Sequence, residues 1–228
     1  MALVRPSCRG YDYLGMSGSG TILDGHRLHQ DGAFKAEQTS YDVYLTGFDP
    51  RYAEAIVGWV RDERELLWLA PGTPPPLTVQ KVLDWSKERR RRQLFWRVDQ
   101  SSPTGYAELN EMPGVARQMW VGHFLVDPSH RLHGLGTQFA QALVLRAFLE
   151  FGADDLLLVV FPENTRAIRC YERAGLVVLG KEKKLFESTG REHTFLRMGL
   201  ERRRFMKLAT KGMLPARPVP YRDLRPEA

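Results

Sequence analysis

Cysteine is nearly absent from this chain of 228 residues, which contains only Cys8 and Cys170. Secreted domains that depend on disulfides carry several cysteine pairs, and Cys170 falls inside a predicted helix. We therefore expect no structural disulfide and a reducing, cytoplasmic location. No run of 18 apolar residues is present, so the sequence predicts no transmembrane helix and no membrane partner. The N-terminus also lacks the basic and then apolar pattern of a signal peptide.

A strong excess of positive charge is also missing from most of the chain. The formal net charge is +6, but residues 201–228 hold eight basic and three acidic side chains, which leaves +1 for all other residues. A basic segment can bind anions, yet an excess of this size is more typical of a solvated tail. We therefore do not expect nucleic acid as a partner.

Composition divides the chain into three segments. Residues 1–38 include the glycine-rich stretch from Gly15 to Gly20 and have no sustained period, which predicts an irregular N-terminal arm. Residues 39–200 alternate strand-like and helix-like patterns and are numerous enough to bury one core. Residues 201–228 form a basic, proline-containing C-terminal tail. An edge strand or this tail could pair two copies in a homodimer.

The first half of the middle segment predicts a strand, two helices and a hairpin. The alternating residues 41–46 indicate a strand, and Asp49-Pro50 is typical of a helix start. Thr78 predicts the cap of a second helix, which would run into the basic turn 89–92 because positive charge favours a helix C-terminus. Two antiparallel strands are expected at residues 93–99 and 104–110.

The most regular stretch lies between Trp120 and Gly175. A strand that reaches Val126 is followed by the loop Arg131-Leu-His-Gly-Leu-Gly-Thr137, which opens a helix. The six apolar residues 156–161 indicate a strand covered on both faces, and a second helix begins near Asn164. Two closing strands are expected at residues 176–179 and 194–200, separated by the turn 188–190.

Two glycines, Gly134 and Gly136, stand where the loop opens a helix after a strand. Unpaired backbone amides and the positive end of the helix dipole favour a phosphate or pyrophosphate at such a position. A P-loop would need a lysine before Thr137, and a Rossmann fingerprint would need a small residue in place of Phe139. The loop alone therefore fits either a phosphate site or an ordinary turn between a strand and a helix.

The stretch as a whole resembles the GNAT superfamily of acyl-CoA N-acyltransferases. The family's loop Arg/Gln-x-x-Gly-x-Gly/Ala matches residues 131–136, although many members carry Arg or Gly where Leu132 and His133 stand. The resemblance covers roughly residues 40–200. It implies an α/β (α+β) fold with a mixed, mostly antiparallel sheet that is splayed at its centre and has helices on both faces. The family's Pro-x-Asn-x-x-Ala-x-x-x-Tyr-Glu-x-x-Gly element matches Pro162, Asn164, Ala167, Tyr171, Glu172 and Gly175.

The resemblance also implies a site for acetyl-CoA as acyl donor. Asn164 would contact the pantetheine arm, and Tyr171 would protonate the leaving thiolate. Neither a metal nor a covalent enzyme intermediate is required. The pantetheine arm and thioester would lie along backbone groups of Phe124, Leu125 and Val126. The pyrophosphate would lie on the loop formed by Arg131, Leu132, His133, Gly134, Leu135, Gly136 and Thr137.

A base for the acceptor amine has three candidates. Glu108 lies on the strand before the central strand, Glu111 lies in the loop that follows it, and His123 lies on the central strand itself. Alternation along the strand would turn His123 to the opposite face of the sheet. We therefore assign Glu108 as the candidate base, provided that its side chain faces the acceptor.

The expected activity is transfer of an acetyl group from acetyl-CoA directly to the amine of a small molecule or peptide. The alternative is a catalytically silent GNAT-like module that binds CoA and whose basic tail contacts an acidic partner. The presence of Tyr171 and Asn164 favours catalysis, because a binding module has no need of a proton donor at the sulfur. Most of the five tryptophans are expected in the core and a few in an acceptor pocket: Trp59, Trp68, Trp85, Trp96 and Trp120.

Overall fold

The structure is a computed structural model that describes residues 42–85, 91–215 and 219–223. The predicted arm 1–38, together with Cys8, Arg89 and Arg90, lies outside these described residues. Within them, the strands are β1 (Val43–Gly47), β2 (Arg92–Arg97), β3 (Gly105–Glu111), β4 (Gln118–Val126), β5 (Asp155–Val160), β6 (Val177–Phe186), β7 (Arg191–Glu201) and β8 (Tyr221–Arg222). The helices are α1 (Ala53–Trp59), α2 (Glu63–Leu69), α3 (Val79–Asp84), α4 (Leu135–Leu145), α5 (Thr165–Arg173) and α6 (Arg202–Thr210).

The eight described strands form one sheet in the order β6-β7-β5-β4-β3-β2-β1-β8. The central pair β4 and β5 and the edge pair β1 and β8 are parallel, and the other neighbours are antiparallel. The connection from β4 to β5 runs through α4, as a parallel pair requires. The predicted mixed, mostly antiparallel sheet is therefore confirmed.

Alternate side chains of the sheet pack on helices of opposite faces. Leu94 and Trp96 of β2 belong to a cluster with α1, α2 and α3, whereas Phe95 belongs to a cluster with α4 and α6. Successive residues of a strand point to opposite sides, so a sheet that is apolar on both sides must be covered twice. Helices on both faces, as predicted, follow from this pattern.

Three predicted helix starts are confirmed by side-chain caps. Oδ1 of Asp49 accepts from the amide of Arg51 and begins a 3-10 turn that leads into α1. Oγ1 of Thr78 accepts from the amide of Lys81 at the start of α3. Oδ1 of Asn164 accepts from the amide of Ala167 at 3.2 Å and caps α5. Each cap satisfies one of the amides that a helix leaves unpaired in its first turn.

The sequence predicts that the second helix runs into the basic residues 89–92, and this is wrong for Arg91 and Arg92, the two of them that the structure describes. Helix α3 ends at Asp84, and Arg92 is the first residue of β2, where it lies opposite Glu108 of β3. Its guanidinium donates to the hydroxyl of Tyr106 and to the carbonyl of Val82. Strand pairing and these two hydrogen bonds outweigh the favourable helix-dipole term that the prediction relied on.

Residues beyond 200, which the sequence predicts as a tail, form part of the same core. Phe205 of α6 is 1% exposed and stacks on Phe148 with ring centroids 4.6 Å apart. Leu208, three positions further along the helix, is also buried. Strand β8 then pairs with β1, and Leu45 donates its amide to the carbonyl of Pro220. Basic side chains mask this apolar face in the sequence, because Phe205 and Leu208, the buried residues of α6, stand among arginines and a lysine.

Candidate active site

The two central parallel strands diverge and open a cleft. Among the described residues, β4 pairs with β5 only from Gln118, opposite Asp155, to Trp120, opposite Leu157. Beyond that point residues 121–126 and 158–160 line the two walls of a cleft of about 1170 Å³. The backbone of β4 therefore presents amides and carbonyls to the cleft that no strand of the described chain pairs on this side. This is the splay predicted for the centre of the sheet.

A β-bulge in β4 changes the face of the sheet to which side chains of this strand point where it lines the cleft. The register between β3 and β4 shifts between Tyr106 and Glu108, and His123 on the bulged strand has φ of +43°. Residues with a Cβ rarely adopt this left-handed backbone region, and such outliers recur at functional sites. Simple alternation predicted His123 on the opposite face, and the bulge brings it to the cleft instead.

The glycine loop ends at the edge of the cleft and starts α4. Gly134, the N-cap residue, has φ of +80° and provides no side-chain cap. The amides of the first two residues of this 11-residue helix are therefore left for a ligand or for water, whereas the amide of Thr137 donates to the carbonyl of Gly134 at 3.0 Å. Of the predicted loop residues, Arg131, Leu132, Gly134, Gly136 and Thr137 line the cleft. The side chains of His133 and Leu135 do not: His133 is exposed, and Leu135 is buried in the core.

The side chain of Arg131 is held by protein acceptors. Its Nε donates to the carbonyl of Val126 at 2.9 Å, its Nη1 to Oε1 of Glu65 at 2.8 Å, and its Nη2 to the carbonyl of Trp59 at 3.1 Å. Burial alone would raise the pKa of Glu65, but hydrogen bonds from Arg61 and Arg131 outweigh it and lower the pKa to about 2. Arg131 thus ties the loop to α1 and α2, while Gly134 and Gly136 leave the backbone open to a ligand.

Tyr171 and Asn164 occupy the wall of the cleft that α5 provides. Tyr171 is 7% exposed and meets the ring of Phe124 edge to face at 5.5 Å between centroids. Burial raises its pKa above the ordinary value, so the phenol keeps its proton. Asn164 also lines the cleft while its Oδ1 caps α5. Burial raises the pKa of the neighbouring Cys170 thiol to about 11, which makes it a poor nucleophile.

Glu108 lines the cleft and lies at the centre of a hydrogen-bonded group. It is 2% exposed, and its Oε1 accepts from the hydroxyl of Tyr106 at 3.0 Å and lies 2.8 Å from Nδ1 of His123. Its Oε2 accepts from the side-chain amide of Asn110 at 3.1 Å. The ring of Trp85 stacks on His123 at 4.3 Å. His123 is therefore the member of the group with the more exposed side chain, 23% against 3% for Glu108.

Sequence reasoning assigned Glu108 and missed three other members of this group, Tyr106, Asn110 and Trp85. Tyr106, Glu108 and Asn110 alternate along β3 and therefore share one face of the sheet, a signal that the sequence contained. Trp85 follows α3 and offered no local signal, because its contact with His123 joins distant parts of the chain. The third candidate base, Glu111, is paired with Arg91 at 2.7 Å and does not line the cleft.

Comparisons with known proteins agree with this geometry. Residues 53–176, more than half of the chain, match the sequence model of the acetyltransferase (GNAT) family. The chain belongs to this family. A GNAT-family acetyltransferase from Bacillus anthracis has a similar solved structure, with a TM-score of 0.61 and 16% identity over 72% of this chain and 98% of the other.

Two further GNAT structures share the fold at low identity. A spermidine N-acetyltransferase from Vibrio cholerae, solved with CoA and spermine, has a TM-score of 0.59 and 18% identity. The aminoglycoside acetyltransferase AAC(6')-Ib, solved with coenzyme A, has a TM-score of 0.56 and 21% identity. Each comparison covers 72% of this chain and 98% of the other. At these identities the likeness establishes the GNAT fold and leaves the acceptor open.

The hairpin of β6 and β7 lines one end of the cleft in this GNAT domain. Oγ of Ser188 at the hairpin tip donates to the carbonyl of Gly72 at 2.7 Å, and Phe186 lies beside the same loop. Trp68 and Trp120 line the cleft, whereas the other three tryptophans are buried in the α1–α3 cluster as expected. Lys184, Phe186 and Phe195 complete this end of the cleft.

Neither a metal centre nor a membrane span is found in the described part of the chain. Across residues 42–85, 91–215 and 219–223, no cluster of three or more His, Cys, Asp or Glu side chains is arranged to hold a metal ion. No helix in the same ranges is long and apolar enough to cross a bilayer.

Proposed function

We propose that this chain is an acetyl-CoA-dependent N-acetyltransferase that acts on the amine of a small molecule or peptide. The observation that carries the proposal is the cleft itself. It combines an unpaired β4 edge, the open N-terminus of α4 and a buried, protonated Tyr171. The volume of about 1170 Å³ leaves room for an extended donor and an acceptor together.

The donor fits the side of the cleft that joins β4, β5 and α4. The first-turn amides after Gly134 bind the pyrophosphate, because a helix N-terminus favours an anion. Backbone groups of Phe124, Leu125 and Val126 bind the pantetheine arm and polarise the thioester carbonyl. The carbonyl of Val126 already accepts from Arg131, which fixes the distance between the strand and the loop. Asn164 lines the opposite wall of the same channel.

Bound acetyl-CoA supplies an acetyl thioester, and the amine nitrogen forms a C–N bond to its carbonyl carbon as the C–S bond breaks. His123 accepts the proton that the amine loses, because it is the more exposed partner of the His123–Glu108 pair. Glu108 stabilises the resulting imidazolium through the 2.8 Å contact with Nδ1. Glu108 therefore contributes to the base through His123.

Tyr171 is the proton donor to the leaving sulfur. Its raised pKa keeps the phenol protonated throughout the neutral range, so it is always available as a hydrogen-bond donor. The thiol that forms has an ordinary pKa of about 8.5, so transfer of the phenol proton to the sulfur is uphill and is completed as the phenol regains a proton from water. The products are an N-acetyl amine and free CoA thiol, and no enzyme nucleophile takes part.

The test is release of CoA thiol from acetyl-CoA with a panel of amines that includes spermidine, kanamycin and a peptide N-terminus. Spermidine and kanamycin are included because structural neighbours are a spermidine N-acetyltransferase and an aminoglycoside acetyltransferase solved with kanamycin. Tyr171→Phe and His123→Gln should each lower kcat by about 10²- to 10⁴-fold, the usual range for acid and base groups. Binding of acetyl-CoA should be retained.

Glu108→Gln and Glu111→Gln form a matched pair on one strand. The first lies in the hydrogen-bonded group and should lower kcat, whereas the second lies outside the cleft and should leave it unchanged. Tight binding of acetyl-CoA without thiol release for any amine would contradict catalysis and favour the silent binding module. The basic residues Arg202 and Arg204 lend that module little support, because they donate to the carbonyls of Phe148 and Gly175.

A further inference from the structure

A second cavity lies at the far end of α4 from the glycine loop. It measures about 340 Å³ and is lined by residues of β2, of the π-helical segment Arg146–Glu150 that continues α4, and of β8. Helix α4 alone spans about 17 Å at 1.5 Å per residue, so the two cavities are well separated. Its lining residues and those of the active-site cleft have no member in common among the described residues.

Arg146 brings an incompletely satisfied positive charge to this cavity. The residue is 8% exposed, and its Nε and Nη1 are buried without a hydrogen-bond partner in the described chain. Oε2 of Glu150 lies 3.2 Å from Nε but without hydrogen-bond alignment. The guanidinium also lies over the ring of Tyr221, with Cζ 3.8 Å from the centroid. A buried guanidinium with open donors is costly unless an acceptor is supplied.

Arg91 adds a second positive charge beside the first. Its Cζ lies 4.1 Å from the centroid of Phe151, and Cζ of Arg146 lies 5.3 Å from the same ring. Burial lowers the pKa of Arg146, the interactions with Glu150 and Tyr221 oppose this, and repulsion from Arg91 lowers the pKa further. Arg91 is partly exposed and shares its charge with Glu111. Three arginines therefore line the cavity. The guanidinium of Arg92 donates to Tyr106 and Val82, and the carboxylates that face Arg91 and Arg146 are not among the described lining residues.

Gln93 supplies a complementary acceptor on the same wall. It is 3% exposed, and its Oε1 is buried without a hydrogen-bond partner among the described residues. Its Nε2 makes one long contact of 3.4 Å with the carbonyl of Arg91. A ligand that satisfies both Gln93 and Arg146 must accept hydrogen bonds from a guanidinium and also offer a hydrogen-bond donor, which an O–H group provides.

We propose that this cavity binds a small hydroxyl-bearing oxyanion, such as phosphate or a hydroxycarboxylate. Because both atoms are buried in the structure, binding requires the guanidinium of Arg146 and the carboxamide of Gln93 to turn toward the cavity; the ligand oxygens then accept from Nη1 of Arg146, and its O–H donates to Oε1 of Gln93. Guanidinium groups pair with such oxygens in charge-assisted hydrogen bonds. The bound anion links β2, the end of α4 and β8. Binding to the native state alone then stabilises the fold, and about 100-fold saturation shifts the folding equilibrium about 100-fold.

The test is calorimetric titration with inorganic phosphate and, separately, with citrate. Coenzyme A is kept saturating so that the glycine loop cannot bind the titrant. We expect saturable one-to-one binding of at least one anion. Hydrogen bonds to a charged group contribute about 1.5–3 kcal/mol, so Arg146→Gln should weaken binding by about 10- to 150-fold. Preference between the two titrants identifies the source of the oxyanion.

Two further variants keep the test decisive if Arg146→Gln does not fold. Gln93→Leu removes only the buried acceptor and should weaken binding of both anions. Arg203→Gln changes the same charge on an exposed position of α6 and should leave binding unchanged. The proposal is overturned if neither anion binds saturably, if Gln93→Leu binds like wild type, or if Arg203→Gln loses as much affinity as the cavity variants.

Discussion

Arg131 allows a sharp test of how the glycine loop is held, because two arginines contact the same carboxylate. Arg131 and Arg61 both donate to Oε1 of Glu65. The side chain of Arg131 is 24% exposed and has two further acceptors, whereas that of Arg61 is 58% exposed. We predict that Arg131→Gln strongly destabilises the protein and that Arg61→Gln, the matched control, has a much smaller effect.

The magnitude follows from the pKa of Glu65. A lowering from 4.5 to about 2 corresponds to about 3 kcal/mol at about 1.4 kcal/mol per pH unit. Arg61 shares this term, so Arg131 accounts for only part of it. Arg131→Gln also removes hydrogen bonds to the carbonyls of Val126 and Trp59, each contributing about 1 kcal/mol. The expected loss in free energy of unfolding is about 3 kcal/mol at pH 7.

The pH dependence gives a second check on the same variant. The folded-state pKa of Glu65 is depressed, so its stabilisation is complete above pH 4.5 and is lost as the pH falls toward 2. Urea unfolding of wild type and Arg131→Gln should therefore differ less at pH 3 than at pH 7. Equal losses for Arg131→Gln and Arg61→Gln, or a difference independent of pH, would refute the reasoning.

Three further predictions concern Cys170, the C-terminal segment and Trp85. With a pKa of about 11, Cys170 should react with iodoacetamide at pH 8 about 200-fold more slowly than a free thiol of pKa about 8.5. Rapid alkylation of Cys170 measured by mass spectrometry would contradict this. The variant Cys170→Ala should retain activity. A chain that ends at Leu200 should fail to unfold cooperatively by circular dichroism, because it lacks Phe205 and Leu208, each contributing about 1.5–3 kcal/mol. Trp85→Leu should lower kcat more than it changes acetyl-CoA affinity, since Trp85 stacks on His123; an unchanged kcat would argue against that contact.

The parts of the fold that could be predicted from sequence depend on local signals. Caps at Asp49, Thr78 and Asn164 mark helix starts within four residues of chain. The apolar run 156–160 of β5 indicates a strand buried on both faces, and Gly134 marks the loop before α4. These features act over one or two turns, where spacing and side-chain chemistry decide the conformation.

The parts that could not be predicted depend on contacts between distant residues. The bulge that turns His123 toward Glu108 changes the alternation of side-chain direction along β4, and no local sequence pattern predicts it. Arg131 was assigned to the donor from its motif position, whereas its side chain is held by acceptors from α1, α2 and β4. The apolar face of α6 was concealed by its many basic residues.

The most direct test of the central proposal is calorimetric titration of acetyl-CoA into wild type, Gly134→Glu and Gly114→Glu. The two glycines have φ of +80° and +76°, and neither has an atom near the position of an added Cβ, so both variants carry similar strain and the same charge. Only Gly134 lines the cleft. We predict that wild type and Gly114→Glu bind acetyl-CoA and that Gly134→Glu does not. Equal binding by both variants, or none by wild type, would contradict the assignment of the cleft as the donor site.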